Sequence, residues 1–557
     1  MTNRQVADIL NRIADILQIK EENPFKIRAY RNAAQSIYYL DEDLRSLYKK
    51  DKIGDVPGVG RAVKGKIEEL LEKGSMEYYE NLLKEVPQGV LEMLSVPGIG
   101  HKMVKLIYEK TGIDNIDDLL KAAEEHRLRE IPGIGEKTEE NIKKGIEMLK
   151  KNRGKVNLGI ALPLAEKFRD FLLEDERILA ASVVGSLRRG KPLVNDIDIL
   201  VAAEDYLAVH EKAEQFTEIK KINRKDKENV SGKLIFDIDF ELIIVLPDDY
   251  YHSLVWTTGS KPHRAVLFSE IGRSSFRGAV SEKEIYEKLN MQFIPPELRE
   301  NRGEIEKARL NELPVLVELG DIKGDLHVHS DWSDGAHEIM EMVRKAKEKG
   351  YSYMAVTDHS KSLPISGGLD EERLLAQGRV IDDLNLKIED FKILKGIEVD
   401  ILKDGSLDFS DEVLENLDIV VASVHSNFKM DKEKQTKRIL NAIKSGKVNI
   451  IGHLTGRLLN RRSGYELDID GILKTAARYN VALEINSHPE RLDIDEETAF
   501  KAKEYGVKIA INSDAHNKED LDLIRYGVIN ARRGWITPDD VINTWPYDKL
   551  VKFLKKE

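Results

Sequence analysis

Seven short apolar runs in the last ~240 residues each break off at acidic, His or Asn residues: GDLHVHS, MAVTDH, ILKGIEVD, IVVASVH, NIIGH, ALEINS and IAINSDAH. Six of the seven supply candidate metal ligands, namely His327 and His329, His359, Glu398, His425, His453, then Asp514 and His516. Neutral imidazoles and carboxylates are the donors that zinc and manganese take. Parallel strands that all deliver ligands at their C-terminal ends describe a barrel with its site on one face. His327 and His329 are two apart, so one strand face carries both. With Asp334 added, the nine ligand-type residues exceed what one ion can use. A cluster of two or three ions is implied, Glu398 being a good bridge because one carboxylate can serve two cations. His337 and His488 read as surface or supporting residues.

A chain of 557 residues is too long for one core, so three or more domains are expected. Charged residues make up 33% and the net charge is −12, which suits a soluble chain. The sequence holds neither an apolar run long enough to span a bilayer nor an apolar leader, and the expectation is a cytoplasmic protein. Cysteine is absent, which excludes disulfides and thiolate metal sites. Residues 1–150 hold 25 Lys/Arg against 27 Asp/Glu, so any nucleic-acid contact must come from local geometry rather than bulk charge.

Those first 150 residues are helical in pattern, with three similar breaks: Val56-Pro57-Gly58-Val59-Gly60, Val96-Pro97-Gly98-Ile99-Gly100 and Ile131-Pro132-Gly133-Ile134-Gly135. A helix follows each, and its first N–H groups point at whatever lies in front of them, where a phosphate fits. A plain helix-connecting turn explains one such break, but three at similar spacing resemble the helix-hairpin-helix motif. That resemblance implies a grip on DNA backbones through Gly58, Gly60, Gly98, Gly100, Gly133 and Gly135. Phosphates carry no sequence information, so recognition is expected to follow DNA structure rather than bases.

From about residue 155 the texture becomes α/β: a helix over 162–173, a strand over 180–184, the turn Gly185-Ser186-Leu187-Arg188-Arg189-Gly190, a strand over 196–201 and a further strand over 233–246. Residues 294–319 read as a helical linker. Asp196 and Asp198 share one strand face and repel each other unless a cation sits between them. Gly185, Ser186, Arg188 and Arg189 suit a triphosphate.

These features resemble the family X DNA polymerases, the group of polymerase beta. Asn23-Pro24-Phe25-Lys26-Ile27-Arg28-Ala29-Tyr30-Arg31 is similar to the start of their small N-terminal domain, and GSLRRG…DIDIL to their palm. Trp256-Thr257-Thr258-Gly259-Ser260-Lys261 resembles their nucleotide-contacting turn. The resemblance implies a third carboxylate, Glu241, completing with Asp196 and Asp198 a two-metal site for Mg²⁺ or Mn²⁺. Asp239 takes that place if the register slips by two. Asp237, Asp239 and Glu241 alternate and are expected on one side of a strand. The resemblance also places Thr258, Gly259 and Ser260 at the nucleotide, Lys26 and Tyr30 at a 5′-phosphate, and Lys66 at the Schiff-base lysine of a lyase, with Lys64 as a cationic neighbour. Three departures stand out: Glu241 for Asp, Arg264 for Asn, and a shortened thumb.

Residues 321–557 resemble the PHP (polymerase and histidinol phosphatase) domain, a distorted seven-stranded barrel. That likeness implies His327, His329, Glu398 and Asp514 around one ion, Glu398, His425 and His453 around a second, and Asp334, His359 and His516 around a third. Zinc and manganese both suit these ligands, and Asp358 and Ser330 are expected to orient them. The expected chain is therefore multidomain: an all-α helix-hairpin-helix N-terminal region (1–80 polymerase beta-like, 81–153 hairpin fingers), an α/β nucleotidyltransferase palm (154–246) with a small thumb (247–300), a linker (301–320) and a (β/α)7 PHP barrel (321–557). Such a combination implies a monomeric repair polymerase acting on gapped, nicked or abasic-site DNA with deoxynucleoside triphosphates, and a metal-dependent phosphodiesterase that processes 3′ ends or cuts at abasic sites. Two alternatives are a DNA-binding scaffold with an inactive palm, and a phosphomonoesterase barrel acting on a small metabolite.

Overall fold

The computed structural model describes residues 3–38, 40, 42–152, 154–269 and 272–556. The chain divides into two compact units, Met1–Arg153 with Asn460–Ser463, and Gly154–Leu459 with Gly464–Glu557.

The first unit is helical. Helix α1 (Asn3–Ile19) buries Val6, Leu10, Ile13 and Leu17, a stripe at three- and four-residue spacing, and packs on α2 (Pro24–Tyr38). Each expected hairpin is present and leads into a helix: α3 (Arg61–Lys73), α4 (His101–Thr111) and α5 (Glu136–Asn152). Gly58, Gly98 and Gly133 take φ of +76°, +88° and +99°, a region costly for any residue with a Cβ. Gly60 and Gly100 begin α3 and α4 in extended conformation without a side-chain cap. Nothing would lie within 4 Å of a Cβ at Gly60, Gly98, Gly100 or Gly135, so these hairpin surfaces are open.

In the second unit, one sheet holds β1 (Ile178–Val183), β2 (Asp196–Ala203), β3 (Ile219–Lys225), β4 (Asn229–Leu234) and β5 (Asp239–Val245), in the order β1-β2-β5-β4-β3. The single strand expected over 233–246 is instead a hairpin. The chain reverses at Phe236 and Asp237, whose φ values are +62° and +56°, and Lys233 pairs back onto Asp239. Alternation survives on both sides of this reversal, and no Gly or Pro marks it. Asp237 consequently leaves the strand and pairs with Lys220 at 2.6 Å. The expected helical linker carries one short α-helix, Glu304–Leu310, and a 3₁₀ turn, Pro296–Leu298. Its Leu298, Ile305, Ala308 and Leu316 share a core with Val255, Ile285 and Tyr286, because a segment this rich in spaced apolar residues gains by burying them.

All seven apolar runs are parallel strands in chain order: β6 (Gly324–Val328), β7 (Tyr353–Val356), β8 (Lys392–Asp400), β9 (Ile419–Ser423), β10 (Ile450–Ile451), β11 (Ala482–Asn486) and β12 (Ile509–Asn512). The bridge Val328↔Ala515 links the two edges into a nearly closed barrel. Along each strand the inner face changes character. Leu394, Val421, Ala482 and Ala510 fill the interior with Trp545 and Leu550, whereas Glu398, Ser423, Glu484 and Asn512, further along the same faces, are buried and polar. Sheet and barrel also meet: Tyr526, on α6 (Ile524–Arg533), and Leu492 belong to the core of the five-stranded sheet.

Candidate active sites

The barrel mouth gathers all nine ligand-type residues, with Glu398 at the centre. Its carboxylate lies 3.5 Å from His327 Nε2, 3.7 Å from His329 Nε2, 2.7 Å from His359 Nδ1, 3.2 Å from His425 Nε2 and 3.0 Å from His453 Nε2. Asp514 approaches His329 at 3.1 Å and His327 at 3.6 Å; Asp334 reaches His359 at 3.5 Å and His516 at 3.4 Å. Three overlapping groups could each hold an ion: His327, His329 and Asp514; His329, Asp334, His359 and His516; and His359, Glu398 and His425. The expected third-ion set recurs with His329 added, and His359 stands beside the Glu398–His425 pair where His453 was expected.

The electrostatics match a site built for cations. Burial opposes a charged His425, yet Glu398 and Asp400 outweigh it and push it up to about 10. His516 is pushed up to about 9 against burial by Asp334 and Asp514. His329 falls to about 3 because burial is joined by the neighbouring His516 and His359. Burial works against the charged forms of Glu398 and Asp514, but the histidines around them hold both well below the carboxylate range. Among the described residues, the buried His327 Nε2, His329 Nδ1 and Glu398 Oε2 lack a hydrogen-bond partner, as atoms that ligate an ion would. The donor set fits divalent metals.

Four supporting residues escaped the sequence reading. Glu484 accepts from His327 Nδ1 at 2.7 Å and from His453 N at 2.8 Å; Asn486 donates to Asp514 at 2.9 Å; Asp400 lies 3.3 Å from His425 Nδ1. Asp325, which accepts from the backbone of His327 and Ser513, is raised by burial to about 6. The signal for Glu484 and Asn486 was their two-residue spacing in ALEINS, the same spacing as His327 and His329. Asp358 accepts from Ser330 N, Ser330 Oγ and Gln377, so it fixes the loop after His329 rather than touching an imidazole. Arg457 turns inward to hold the carbonyls of Arg491 and Leu492.

In the five-stranded sheet, Asp196 pairs in register with Asp239 and Asp198 with Glu241, so four carboxylates sit on two adjacent parallel strands. Burial, then the charges of Asp196 and Glu241, push Asp198 up to about 7; burial and Asp239 raise Asp196. Glu241 is thus the carboxylate beside Asp198, while Asp239 leans to Lys233 at 2.8 Å. The GSLRRG segment, expected as a turn, opens as a one-turn helix over Gly185–Arg188 and meets them: a Cβ on Gly185, at φ +66°, would lie 2.6 Å from Asp198 Oδ2. Arg188 donates to Thr258 Oγ1 at 2.6 Å and to Glu282; Arg189 donates to the Thr258 carbonyl at 2.6 Å and to Glu300. Both arginines therefore lock the turn at 185–190 to the one at 258–260. Ser260 Oγ caps the next helix by accepting from His263 N, and Arg264 stacks on Trp256.

Near the N-terminus, Lys66 donates to Tyr30 OH at 2.7 Å and sits 4.3 Å from the Tyr78 ring, with Lys26 Nζ 5.5 Å from the same ring. Burial and the Lys26 charge lower the Lys66 pKa. Lys64 is engaged by Asp51 at 2.8 Å.

A parallel barrel with a histidine–carboxylate centre at its mouth, a carboxylate-bearing sheet and helical hairpins define a polymerase-type protein with a linked metallohydrolase. Residues 1–76 match a helix-hairpin-helix domain, 90–147 a SAM-like helix-hairpin-helix tandem and 325–488 the PHP domain. The DNA polymerase/3′-5′ exonuclease PolX of Bacillus subtilis (strain 168) is 38% identical, with 100% of each chain covered. Probable phosphatases of Thermoanaerobacter sp. (strain X514) and Vibrio atlanticus (strain LGP32) are 36% and 33% identical, over 42% and 37% of this chain and 94% and 83% of their own. The chain belongs to the PolX family of family X DNA polymerases with a PHP domain.

Proposed function

We propose that this protein is a monomeric repair enzyme that fills short DNA gaps at the palm and processes 3′ ends at the barrel. The observation that carries the barrel reading is the convergence of His327, His329, His359, His425 and His453 on one buried carboxylate, Glu398. Full-length similarity to a protein named as both polymerase and 3′-5′ exonuclease supports joining the two activities. Zinc or manganese held by the barrel residues, and magnesium or manganese held by Asp196, Asp198 and Glu241, would supply Lewis acidity for phosphoryl transfer.

The chain's own residues do the rest. Glu484 accepts the Nδ1 proton of His327, which turns the Nε2 lone pair toward the cluster. Gly185 lets the nucleotide turn approach Asp198. The uncapped helix starts after Gly60 and Gly100 offer N–H groups to DNA phosphates. A lowered Lys66 pKa favours the neutral amine that attacks an abasic-site aldehyde; borohydride trapping that is equal in Lys66→Ala would remove that assignment.

Extension of a one-nucleotide gap, with Asp196→Ala as control, tests the palm, and digestion of a defined 3′ end, with Glu398→Gln as control, tests the barrel. An alternative, an inactive palm on a DNA-binding scaffold, draws support from Arg188 and Arg189 being already ion-paired to Glu282 and Glu300. Incorporation by the wild type that Asp196→Ala abolishes eliminates it; no incorporation by the wild type establishes it.

A further inference from the structure

We propose that Arg533, on barrel helix α6, is a positioning residue for nucleotide binding at the palm. This rests on the reading of residues 185–190 as the triphosphate turn. The Arg533 guanidinium is fully buried, and its two terminal nitrogens donate to three acceptors while Nε has no hydrogen-bond partner among the described residues. Its Nη1 donates to the Arg189 carbonyl at 2.6 Å and to Glu300 at 3.2 Å, and its Nη2 to Glu496 at 2.8 Å. Glu300 also accepts from Arg189 Nε at 3.1 Å and pairs with Lys191 at 3.2 Å. Both the main chain and the side chain of Arg189 thus end on one ionic cluster whose far members, Arg533 and Glu496, belong to the barrel.

Packing points the same way. A Cβ on Gly190 would lie 2.2 Å from Ile529 Cγ2, so α6 abuts the turn with no space between them. A planar guanidinium fixed by three acceptors is a stiff brace, unlike a lysine, which would hold the same charge as a point. The brace continues through Arg189, whose Nη1 holds the Thr258 carbonyl of the second nucleotide turn. The barrel therefore sets the position of both nucleotide turns relative to Asp198, besides carrying its own site. Loss of Arg533 should weaken nucleotide binding and spare the chemical step.

The test uses the full chain with Arg533→Met/Glu496→Gln, which leaves no new unpaired charge beside the turn, and Arg533→Lys as the conservative variant. KM for the incoming nucleotide and kcat are measured in gap filling, and 3′-end digestion reports the integrity of the barrel. The double variant should raise KM about tenfold, the loss of one charge-assisted hydrogen bond, with kcat and digestion close to wild type. Arg533→Lys should recover part of that loss. An unchanged KM in the double variant overturns the proposal, as does a parallel fall of gap filling, digestion and melting temperature, which would make Arg533 structural only. A wild type that incorporates no nucleotide removes the palm reading itself, and the proposal with it.

Discussion

Replacing Glu484 by Gln removes a charge without changing shape, at a residue that belongs to none of the three candidate ligand groups. Its Oε1 accepts from His327 Nδ1 at 2.7 Å and Asn512 Nδ2 at 2.9 Å, and its Oε2 accepts from His453 N at 2.8 Å. A Gln offers one oxygen and one NH₂. If the oxygen keeps His327 and Asn512, the NH₂ faces the His453 N–H, donor against donor; if the amide is reversed, it faces His327. Either way one charge-assisted bond is lost in a fully buried place, about 1.5–3 kcal/mol. At about 1.4 kcal/mol per decade that is roughly a 10- to 100-fold loss of metal affinity, the range expected for partners that orient a ligating imidazole. Chelator competition on the reloaded protein measures the affinity, and 3′-end digestion should fall with it while gap filling stays at the wild-type level. Affinity within about twofold of wild type in a folded Glu484→Gln protein would refute the reasoning, since it would mean that His327 is oriented by its strand alone.

Gly185→Ala places a Cβ 2.6 Å from Asp198 Oδ2 at a φ of +66°; gap filling should drop by about tenfold or more through strain of ~1–2 kcal/mol and turn displacement, with 3′-end digestion unchanged. Asp198, raised to about 7, is protonated below that pH, and an ion needs the carboxylate. The magnesium concentration for half-maximal gap filling should therefore fall as pH rises from 6 to 8, and a flat profile would contradict the shift. Glu496 is partly buried and, against its desolvation, held at about 2 by Arg533. A depressed acid stabilises the fold above its unfolded pKa and loses that contribution as pH falls toward its folded one, here between about 4.5 and 2. Urea titrations should show Glu496→Gln narrowing the stability gap between neutral and acid pH by about 2–3 kcal/mol.

The barrel was legible because six of its seven strands carry two messages in a few residues: an apolar run to be buried and a ligand-type residue at or near its end. The hairpins were legible because only glycine takes their backbone angles freely, as at Gly58, Gly98 and Gly133. Glu484 was not, because a carboxylate inside an apolar run reads as an interruption until the neighbouring strands show what it faces. The reversal at Phe236 was hidden for the opposite reason: nothing local distinguishes a turn made by Phe and Asp from two more residues of strand. Arg533 carried no signal at all. Its partners Arg189, Glu300 and Glu496 lie 344, 233 and 37 residues away, so only tertiary structure tells it from the exposed arginine expected at a helix end.

The closure of the barrel through Val328↔Ala515 has a consequence for the order of events at the ribosome. His329 and its partner Asp514 are 185 residues apart, just past the ends of the first and last strands. At about 5–20 residues per second, the first histidines wait roughly 10–40 s for their last carboxylate to be synthesised. Arg533 emerges later still. A nascent chain therefore passes through a long interval in which the helical hairpins are complete while neither the histidine–carboxylate cluster nor the Arg533 contact to the Arg189 carbonyl exists. On the proposed function, both sites become competent near the end of translation, so a chain cut short within the barrel is expected to hold DNA without cleaving it.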